Sequence, residues 1–260
     1  MTERLLQTVE NGIATLTFNR PEAMNAMDPN MAAALRDAAE KFALDPAIRV
    51  VVLAGSGSAF MAGGDVGLFH ENLDDLPALI TRFAREFHHA ILAFRRMPQP
   101  VLASVQGVAA GAGVSLMMAA DLAIVAESTK FTLAYARLGA SPDGGSSYFL
   151  PRSIGYRKAM ELTLLADRFD SATAANLGLV NWVVPDAELA TRTAAIAQRL
   201  AEGPARAYAE TKALLNSALD NSIEAQLEAE VQAFARCAAH PDIQEGVRAF
   251  VEKRTPRFGR

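Results

Sequence analysis

The sequence predicts an α/β fold in which a body of alternating strands and helices is followed by a helical C-terminal region. Two patterns support this division. Apolar, β-branched runs alternate with amphipathic helical segments as far as residue 185, whereas residues 186–260 contain helical segments only. Strands separated by helices form parallel sheets through crossover connections. We therefore predict an α/β core over 1–185 and a helical region over 186–260.

The first elements are predicted from turn residues and from the spacing of apolar side chains. Asn11-Gly12 separates two short runs, 5–9 and 13–18, and this dipeptide is the strongest short signal for a hairpin. Residues 30–44 carry apolar side chains at helical spacing. The largely apolar, β-branched run 48–53 is typical of a strand buried on both faces, as parallel sheets require.

The remaining elements are predicted by the same criteria. In chain order they are a helix over 76–97, a strand over 101–105, a glycine-rich turn over 107–113 that leads into a helix through Ala120, strands over 122–125 and 131–133, a short helix after Pro142-Asp143, a helix over 156–166, a strand over 179–184, and helices over 187–202, 204–220, 222–238 and 241–252. Gly203-Pro204 and His240-Pro241 separate the C-terminal helices.

The composition excludes several broad classes of protein. Of the 260 residues, 51% are hydrophobic, so the chain has enough apolar material to form a buried core. Its net charge of −4 provides no electrostatic basis for binding nucleic acid or an anionic membrane. No apolar run reaches the ~18 residues of a membrane span. With one cysteine, Cys237, and no apolar signal segment at the N-terminus, we expect a cytoplasmic protein without disulfides.

Several common catalytic motifs are absent. There is no Walker A sequence, and Ala54-Gly55-Ser56-Gly57 lacks the third glycine of a dinucleotide-binding fingerprint. No serine lies in the nucleophile-elbow pattern of an α/β-hydrolase. Cys237 and His240 have no further ligand nearby in the sequence, so we expect no metal site.

Two glycine-containing turns and one aspartate are the remaining candidates for chemistry. Residues 60–65 and 111–113 each follow a predicted buried strand, and the second turn opens a helix. Free amide groups at such positions bind anions, although small residues there also permit close packing. Asp143, in Pro142-Asp143-Gly144-Gly145, is either the cap of the following helix or a carboxylate that moves a proton. The residues alone therefore predict an α/β enzyme without specifying its reaction.

Five stretches spread over nearly the whole chain occur in the order of a known family. They are Asn19-Arg20-Pro21 with Asn25-Ala26-Met27, residues 60–65, residues 100–121, Gly178-Leu179-Val180 with Val183-Val184-Pro185, and Glu245-Gly246 with Phe250 and Lys253-Arg254. Together they resemble the crotonase family, also called enoyl-CoA hydratase/isomerase. The resemblance implies a spiral of strand-strand-helix units, a helical C-terminal trimerisation region and an acyl-CoA thioester substrate. It also implies a homotrimer or a dimer of trimers.

The resemblance implies the site residues as well. Family members hold the oxygen of a thioester enolate with two backbone amides, which by position belong to Gly64 and Ala112. CoA is implied to lie along residues 23–25 and 62–65. Coenzyme A is part of the substrate, so no separate cofactor is expected. The residues predicted to contact the substrate and its CoA are Ala23, Met24, Ala62, Gly63, Asp65, Gly113, His88 and Tyr135.

The type of reaction is predicted from departures from the hydratases of the family. Hydratases carry two glutamates, and the corresponding positions here are Ser115 and Tyr135. Neither a serine nor a phenol, with a reference pKa of ~10, replaces a carboxylate base at neutral pH. Asp143 is left as the one acid in a matching position, and its turn resembles that of single-aspartate isomerases such as the 1,2-epoxyphenylacetyl-CoA isomerases. We therefore predict an acyl-CoA isomerase in which Asp143 moves a proton and shifts a double bond.

Three alternatives stay open. His88 and Tyr135 occupy the positions of the histidine and the tryptophan of 4-chlorobenzoyl-CoA dehalogenases, in which the aspartate of this turn attacks the aromatic ring. An enoyl-CoA hydratase with atypical residues would need another group to activate water. A non-catalytic CoA-binding member would be expected to lack Asp143 or the glycine turns, and this chain retains both.

Overall fold

The N-terminal hairpin forms where the sequence predicts it. The computed structural model describes residues 3–259, and in it β1 (Leu5–Glu10) and β2 (Ile13–Phe18) pair antiparallel. Asn11 and Gly12 connect them with φ of 52° and 79°, the left-handed values that a two-residue hairpin turn requires. Alternate residues of β2 are fully buried, so the hairpin attaches to the core through one face.

Helices and strands alternate from there to residue 184, and helices follow over the rest of the described chain. In chain order they are α1 (Pro29–Leu44), β3 (Val50–Gly55), α2 (Val66–Glu71), α3 (Leu76–Arg96), β4 (Val101–Val105), β5 (Val108–Ala110), α4 (Ala112–Ala119), β6 (Leu122–Ala126), β7 (Lys130–Thr132), α5 (Ser146–Ile154), α6 (Tyr156–Leu165), β8 (Phe169–Asp170), α7 (Ser171–Asn176), β9 (Trp182–Val184), α8 (Leu189–Ala201), α9 (Ala205–Ser217), α10 (Ile223–Ala238) and α11 (Pro241–Val251). The predicted α/β class with C-terminal helices is confirmed. Within residues 3–259, no helix has both the length and the apolar character needed to cross a membrane.

The main sheet has six strands in the order β1-β2-β3-β4-β6-β9, and all neighbouring strands except β1 and β2 are parallel. Its central strands are buried on both faces. Val51 and Ala103 pack on one face in the larger core, with α1, α3 and α4. Val50 and Leu102 pack on the other face, against α8. This two-sided burial explains why these strands are apolar at successive positions.

A second sheet has three short strands in the order β5-β7-β8. Because β5 follows β4 and β7 follows β6, a strand of each sheet and then a helix recur along the chain, which is the expected strand-strand-helix spiral. Met61 extends the pattern to the first unit through a bridge to Ala109. Residues 107–113 were predicted only as a turn, and β5, β8, α2 and α7 were not predicted, because elements this short show no period. Residues 179–181 of the predicted last strand lie outside β9.

The C-terminal helices attach to the core in two ways. α8 forms a layer over one face of the main sheet. α9 is anchored by the buried side chain of Lys212, which donates to the carbonyl oxygens of Phe94 and Gln99 and lies 2.7 Å from Oδ2 of Asp121. These three contacts offset the cost of burying an ammonium group. The oligomerisation role expected for residues 186–260 stays a prediction.

Candidate active site

The first glycine turn, residues 60–65, lies between β3 and α2 and is held by the chain that precedes α1. The amide of Met27 donates to the carbonyl oxygen of Gly63 at 2.7 Å, and the amide of Asp65 donates to the carbonyl oxygen of Met27 at 3.0 Å. Between these two bonds, the amide of Gly64 has no acceptor among residues 3–259. A preorganised, unpaired N–H group is what an oxyanion site requires.

The second glycine turn ends at the N-terminus of α4. Gly111 has a left-handed φ of 48°, and its amide donates to the carbonyl oxygen of Thr132 at 3.0 Å. The next amide, that of Ala112, is the first of the helix and has no acceptor in the described part of the chain. Amides at a helix N-terminus lack intrahelical partners and lie at the positive end of the helix dipole. Both properties favour negative charge next to Ala112.

Gly64 and Ala112 line one cavity of about 250 Å³, which we name the inner cavity. Phe69 and Phe83 contribute aromatic rings to its wall, with their centroids 6.1 Å apart. Asp143 is the one carboxylate among the described residues that line it. The cavity lies between residues 62–64, 111–112, 133–135 and 140–143, and its wall is completed by Val66, Phe69, Ile80, Phe83, Ala84 and Leu138.

Three hydroxyl groups position Asp143 through its backbone. Ser115 Oγ and Ser146 Oγ donate to the carbonyl oxygen of Asp143 at 2.8 and 2.9 Å, and the hydroxyl of Tyr135 donates to it at 3.3 Å. Gly144 follows with φ of 61°, and a β-carbon there would lie 2.8 Å from that of Ser115. The turn is therefore fixed without any use of the carboxylate, which stays available for chemistry.

The two positions where hydratases carry glutamates hold neutral groups. Ser115 is fully buried, and its Oγ lies 3.1 Å from the hydroxyl of Tyr135. Burial raises the pKa of Tyr135 to about 12, so this phenol keeps its proton at neutral pH. Neither side chain acts as a base there, and both serve as hydrogen-bond donors to the Asp143 turn.

The carboxylate of Asp143 has a single hydrogen-bond partner within residues 3–259. Its Oδ1 lies 2.5 Å from Nε2 of His88, which is on α3. His88 lines a second cavity of about 650 Å³, which we name the outer cavity and which Asp143 also lines. The neighbouring His89 is exposed and lines neither cavity. As expected for adjacent residues of a helix, only one of the two histidines reaches the site.

The residues predicted to contact CoA lie beside the first glycine turn. The amide of Ala62 donates to the carbonyl oxygen of Met24 at 3.0 Å, which places residues 23–24 next to the inner cavity. Asp65 caps α2 and lies 2.8 Å from Nη2 of Arg20. Burial opposes ionisation of Asp65, but the hydrogen bonds from the Leu68 amide and Arg20 outweigh it and hold its pKa below the usual value.

The structure brings most of the predicted site residues to the inner cavity. Those that line it are Ala62, Gly63, Gly64, Ala112, Tyr135 and Asp143. Ala23, Met24 and Asp65 are on adjoining loops, and His88 lies in the outer cavity. Gly113 is buried inside α4, where a β-carbon would lie 2.3 Å from the carbonyl oxygen of Met61. Close packing is therefore the reason for glycine at position 113, and this residue lines neither cavity.

Two residues that were not predicted individually as site residues hold the site together, although one of them, Asn25, ends the stretch 23–25 predicted to lie along CoA. The buried side chain of Asn25 accepts from the Arg20 amide at 2.8 Å and donates to the carbonyl oxygens of Ser56 and Ala59. It thereby fixes the loop before α1 against the chain that enters the first glycine turn. The Asn25-Ala26-Met27 motif was a signal for this residue. Ser146 had none, because a serine at the start of a helix is ordinary.

Comparisons with known proteins find relatives over nearly the whole chain. The family described as enoyl-CoA hydratase/isomerase matches residues 8–260. A Rhodobacter capsulatus protein named "Probable enoyl-CoA hydratase" is 38% identical over 96% of this chain and 95% of its own. The 1,2-epoxyphenylacetyl-CoA isomerase of Escherichia coli is 36% identical over 99% of both chains. The crystal structure of an enoyl-CoA hydratase from Polaromonas sp. JS666 has a TM-score of 0.93 and 35% identity, and the match covers 97% of this chain and 98% of that one.

Proposed function

Because the chain belongs to the enoyl-CoA hydratase/isomerase family, we propose that it is an acyl-CoA isomerase in which Asp143 alone moves the proton. The substrate is an unsaturated acyl-CoA thioester, and the product is the isomer with a shifted double bond. Coenzyme A enters as part of this substrate. The reaction consumes neither water nor an oxidant, so it requires no further cofactor.

One observation carries the proposal: Asp143 is the only carboxylate among the described residues of the inner cavity. Hydration in the resembled enzymes uses two glutamates, and their positions are taken by Ser115 and Tyr135, which donate to the carbonyl oxygen of Asp143. A single carboxylate is sufficient for isomerisation, because it takes a proton from one carbon and returns it to another.

The two unpaired amides supply the second half of the mechanism. Loss of a proton from C2 of a 3-enoyl thioester places negative charge on the carbonyl oxygen, where the amides of Gly64 and Ala112 donate to it. One preorganised donor of this kind is worth roughly 2.7–4 kcal/mol of transition-state stabilisation. Asp143 then returns the proton to C4, and the double bond moves from C3–C4 to C2–C3. The proton lost at C2 equals the proton gained at C4.

The proposed reaction is tested by assaying two substrates side by side. We expect the purified protein to convert a 3-enoyl-CoA into the conjugated 2-enoyl-CoA. The conversion is seen as a gain in the absorbance of the α,β-unsaturated thioester. We expect crotonyl-CoA to keep its absorbance, since no second carboxylate activates water. Rapid hydration of crotonyl-CoA would contradict the proposal and support an atypical hydratase. Binding of both thioesters without turnover would identify a non-catalytic member.

The apolar faces of α9–α11 support the proposed assembly into a homotrimer or a dimer of trimers. These helices expose large apolar side chains, namely Leu215, Leu227, Val231, Phe234, Val247, Phe250 and Val251. Apolar patches of this kind mark interaction surfaces. Light scattering of the purified protein should give the mass of three or six chains. A stable species of 27.7 kDa, the mass of one chain, would contradict the assembly.

A further inference from the structure

The side chain of Asp143 lies at the boundary between the two cavities. It lines the inner cavity with Gly64 and Ala112, and it lines the outer cavity with His88. The side chain of His88 is 47% exposed, whereas that of Asp143 is 32% exposed. The carboxylate therefore has the substrate cavity on one side and a solvent-accessible imidazole on the other.

We propose that His88 exchanges the proton held by Asp143 with solvent, so that a proton removed from an acyl-CoA is replaced by one from water before it returns to carbon. This inference rests on the proposed function, in which Asp143 is the base. It makes His88 a positioning and relay residue that acts through Asp143 and does not itself contact the substrate.

The contacts of the outer cavity favour His88 as the relay. Its Nε2 lies 2.5 Å from Oδ1 of Asp143, while no partner of Oδ2 is found within residues 3–259. One carboxylate oxygen is thus engaged by the imidazole, and the other stays available to take a proton. Two other polar side chains of this cavity are engaged elsewhere: the Tyr148 hydroxyl donates to Asp220, and Arg95 donates to Asn216. Arg96 and Ser147 also line it, and neither contacts the Asp143 carboxylate within residues 3–259.

The exchange balances without any added reagent. Asp143 takes a proton from the substrate carbon and passes it from Oδ1 to Nε2 of His88, which gives an imidazolium. The imidazolium then turns toward the outer cavity and releases this same Nε2 proton to water. A proton from water is taken up at Nε2, and the side chain returns and donates it to Oδ1, so the proton that goes back to carbon comes from solvent. An imidazole performs this transfer because each of its nitrogens can gain and lose a proton near neutral pH.

The test separates relay from simple positioning with the variant His88→Gln. Glutamine presents an amide N–H₂ near the position of Nε2, so it still donates to the carboxylate, but an amide does not carry a proton through. His88 is on the exposed face of α3, and glutamine is a good helix former, so the fold should be retained. His89→Gln, one residue along the same helix and outside both cavities, is the matched control.

Two reactions are followed in D₂O for the wild type and both variants. The first is isomerisation of a 3-enoyl-CoA, with the deuterium content at C4 of the product measured by mass spectrometry. The second is exchange of the C2 protons of phenylacetyl-CoA, which needs deprotonation but no isomerisation. For His88→Gln we expect the ratio of exchange to isomerisation, and the rate of phenylacetyl-CoA exchange, to fall about tenfold or more. His89→Gln should match the wild type in both.

The outcomes distinguish the relay from the proposed function. A lower kcat with unchanged deuterium content in His88→Gln would overturn the relay and leave a positioning role only. Absence of C2 exchange in the wild type would also overturn it. The protein could fail to isomerise a 3-enoyl-CoA and still exchange the C2 protons of phenylacetyl-CoA in a way that depends on His88. This outcome would support the relay and reject the isomerase. Isomerisation with equal deuterium content in all three proteins would support the isomerase and reject the relay.

Discussion

Replacing Asp143 with asparagine is expected to lower kcat for isomerisation of a 3-enoyl-CoA by about 100-fold or more. Asparagine has nearly the same shape as aspartate, but its amide does not take a proton from carbon at neutral pH. The turn should keep its geometry, because Ser115 and Ser146 hold the carbonyl oxygen of residue 143 and not its side chain. Thioester affinity should also persist, since the amides of Gly64 and Ala112 are unchanged.

Steady-state rates and calorimetric titration with a saturated acyl-CoA check the two parts of this prediction. Asp37→Asn makes the same chemical change at an exposed position of α1 and is expected to leave both quantities unchanged. Near-wild-type turnover of the Asp143 variant would remove this residue from the mechanism. Loss of thioester binding would show that the carboxylate also holds the substrate.

Replacing Ala112 with proline is expected to lower kcat by about 10²–10³-fold, the effect of deleting one oxyanion donor. Proline lacks the backbone N–H and is well tolerated at the first position of a helix, where that N–H has no intrahelical partner. Ala112 occupies this position in α4, so the substitution removes the amide while the helix is retained. The preceding Gly111 has the backbone freedom that a residue before proline needs.

Ala112→Gly is the matched control for this substitution. Glycine keeps the amide and removes only a methyl group, so kcat should stay close to that of the wild type. Circular dichroism and thermal unfolding show whether the proline variant is folded. A folded Ala112→Pro protein with a normal rate would mean that the enolate oxygen is held elsewhere.

Much of the fold was predictable because its longer elements carry a local signal. Asn11-Gly12 specifies a tight hairpin turn, and the apolar stripe of α1 specifies one buried face. β5 and β8 contain three and two residues and carry no such signal. They exist because β7 pairs with both of them, and this pairing depends on how the main sheet places the three segments.

The candidate site was only partly predictable from the sequence. The two glycine turns and Asp143 were identified from their motifs, and the structure places them around one cavity. The local sequence pattern gave no reason to choose His88 over His89, because both residues are exposed and lie in one helical stretch. The side chain of Asn25 also donates to carbonyl oxygens 31 and 34 residues away, and local spacing does not identify such partners.

The sequence by itself determined the α/β class, the helical C-terminal region and the replacement of two expected glutamates by Ser115 and Tyr135. Only the tertiary structure decided which distant groups meet. His88 and Asp143 are 55 residues apart and touch because α3 and the Asp143 turn pack against the same core. Elements follow from local periodicity, whereas such contacts follow from the sum of many weak packing interactions over the whole core. For this reason the proton route through His88 is a property of the folded chain.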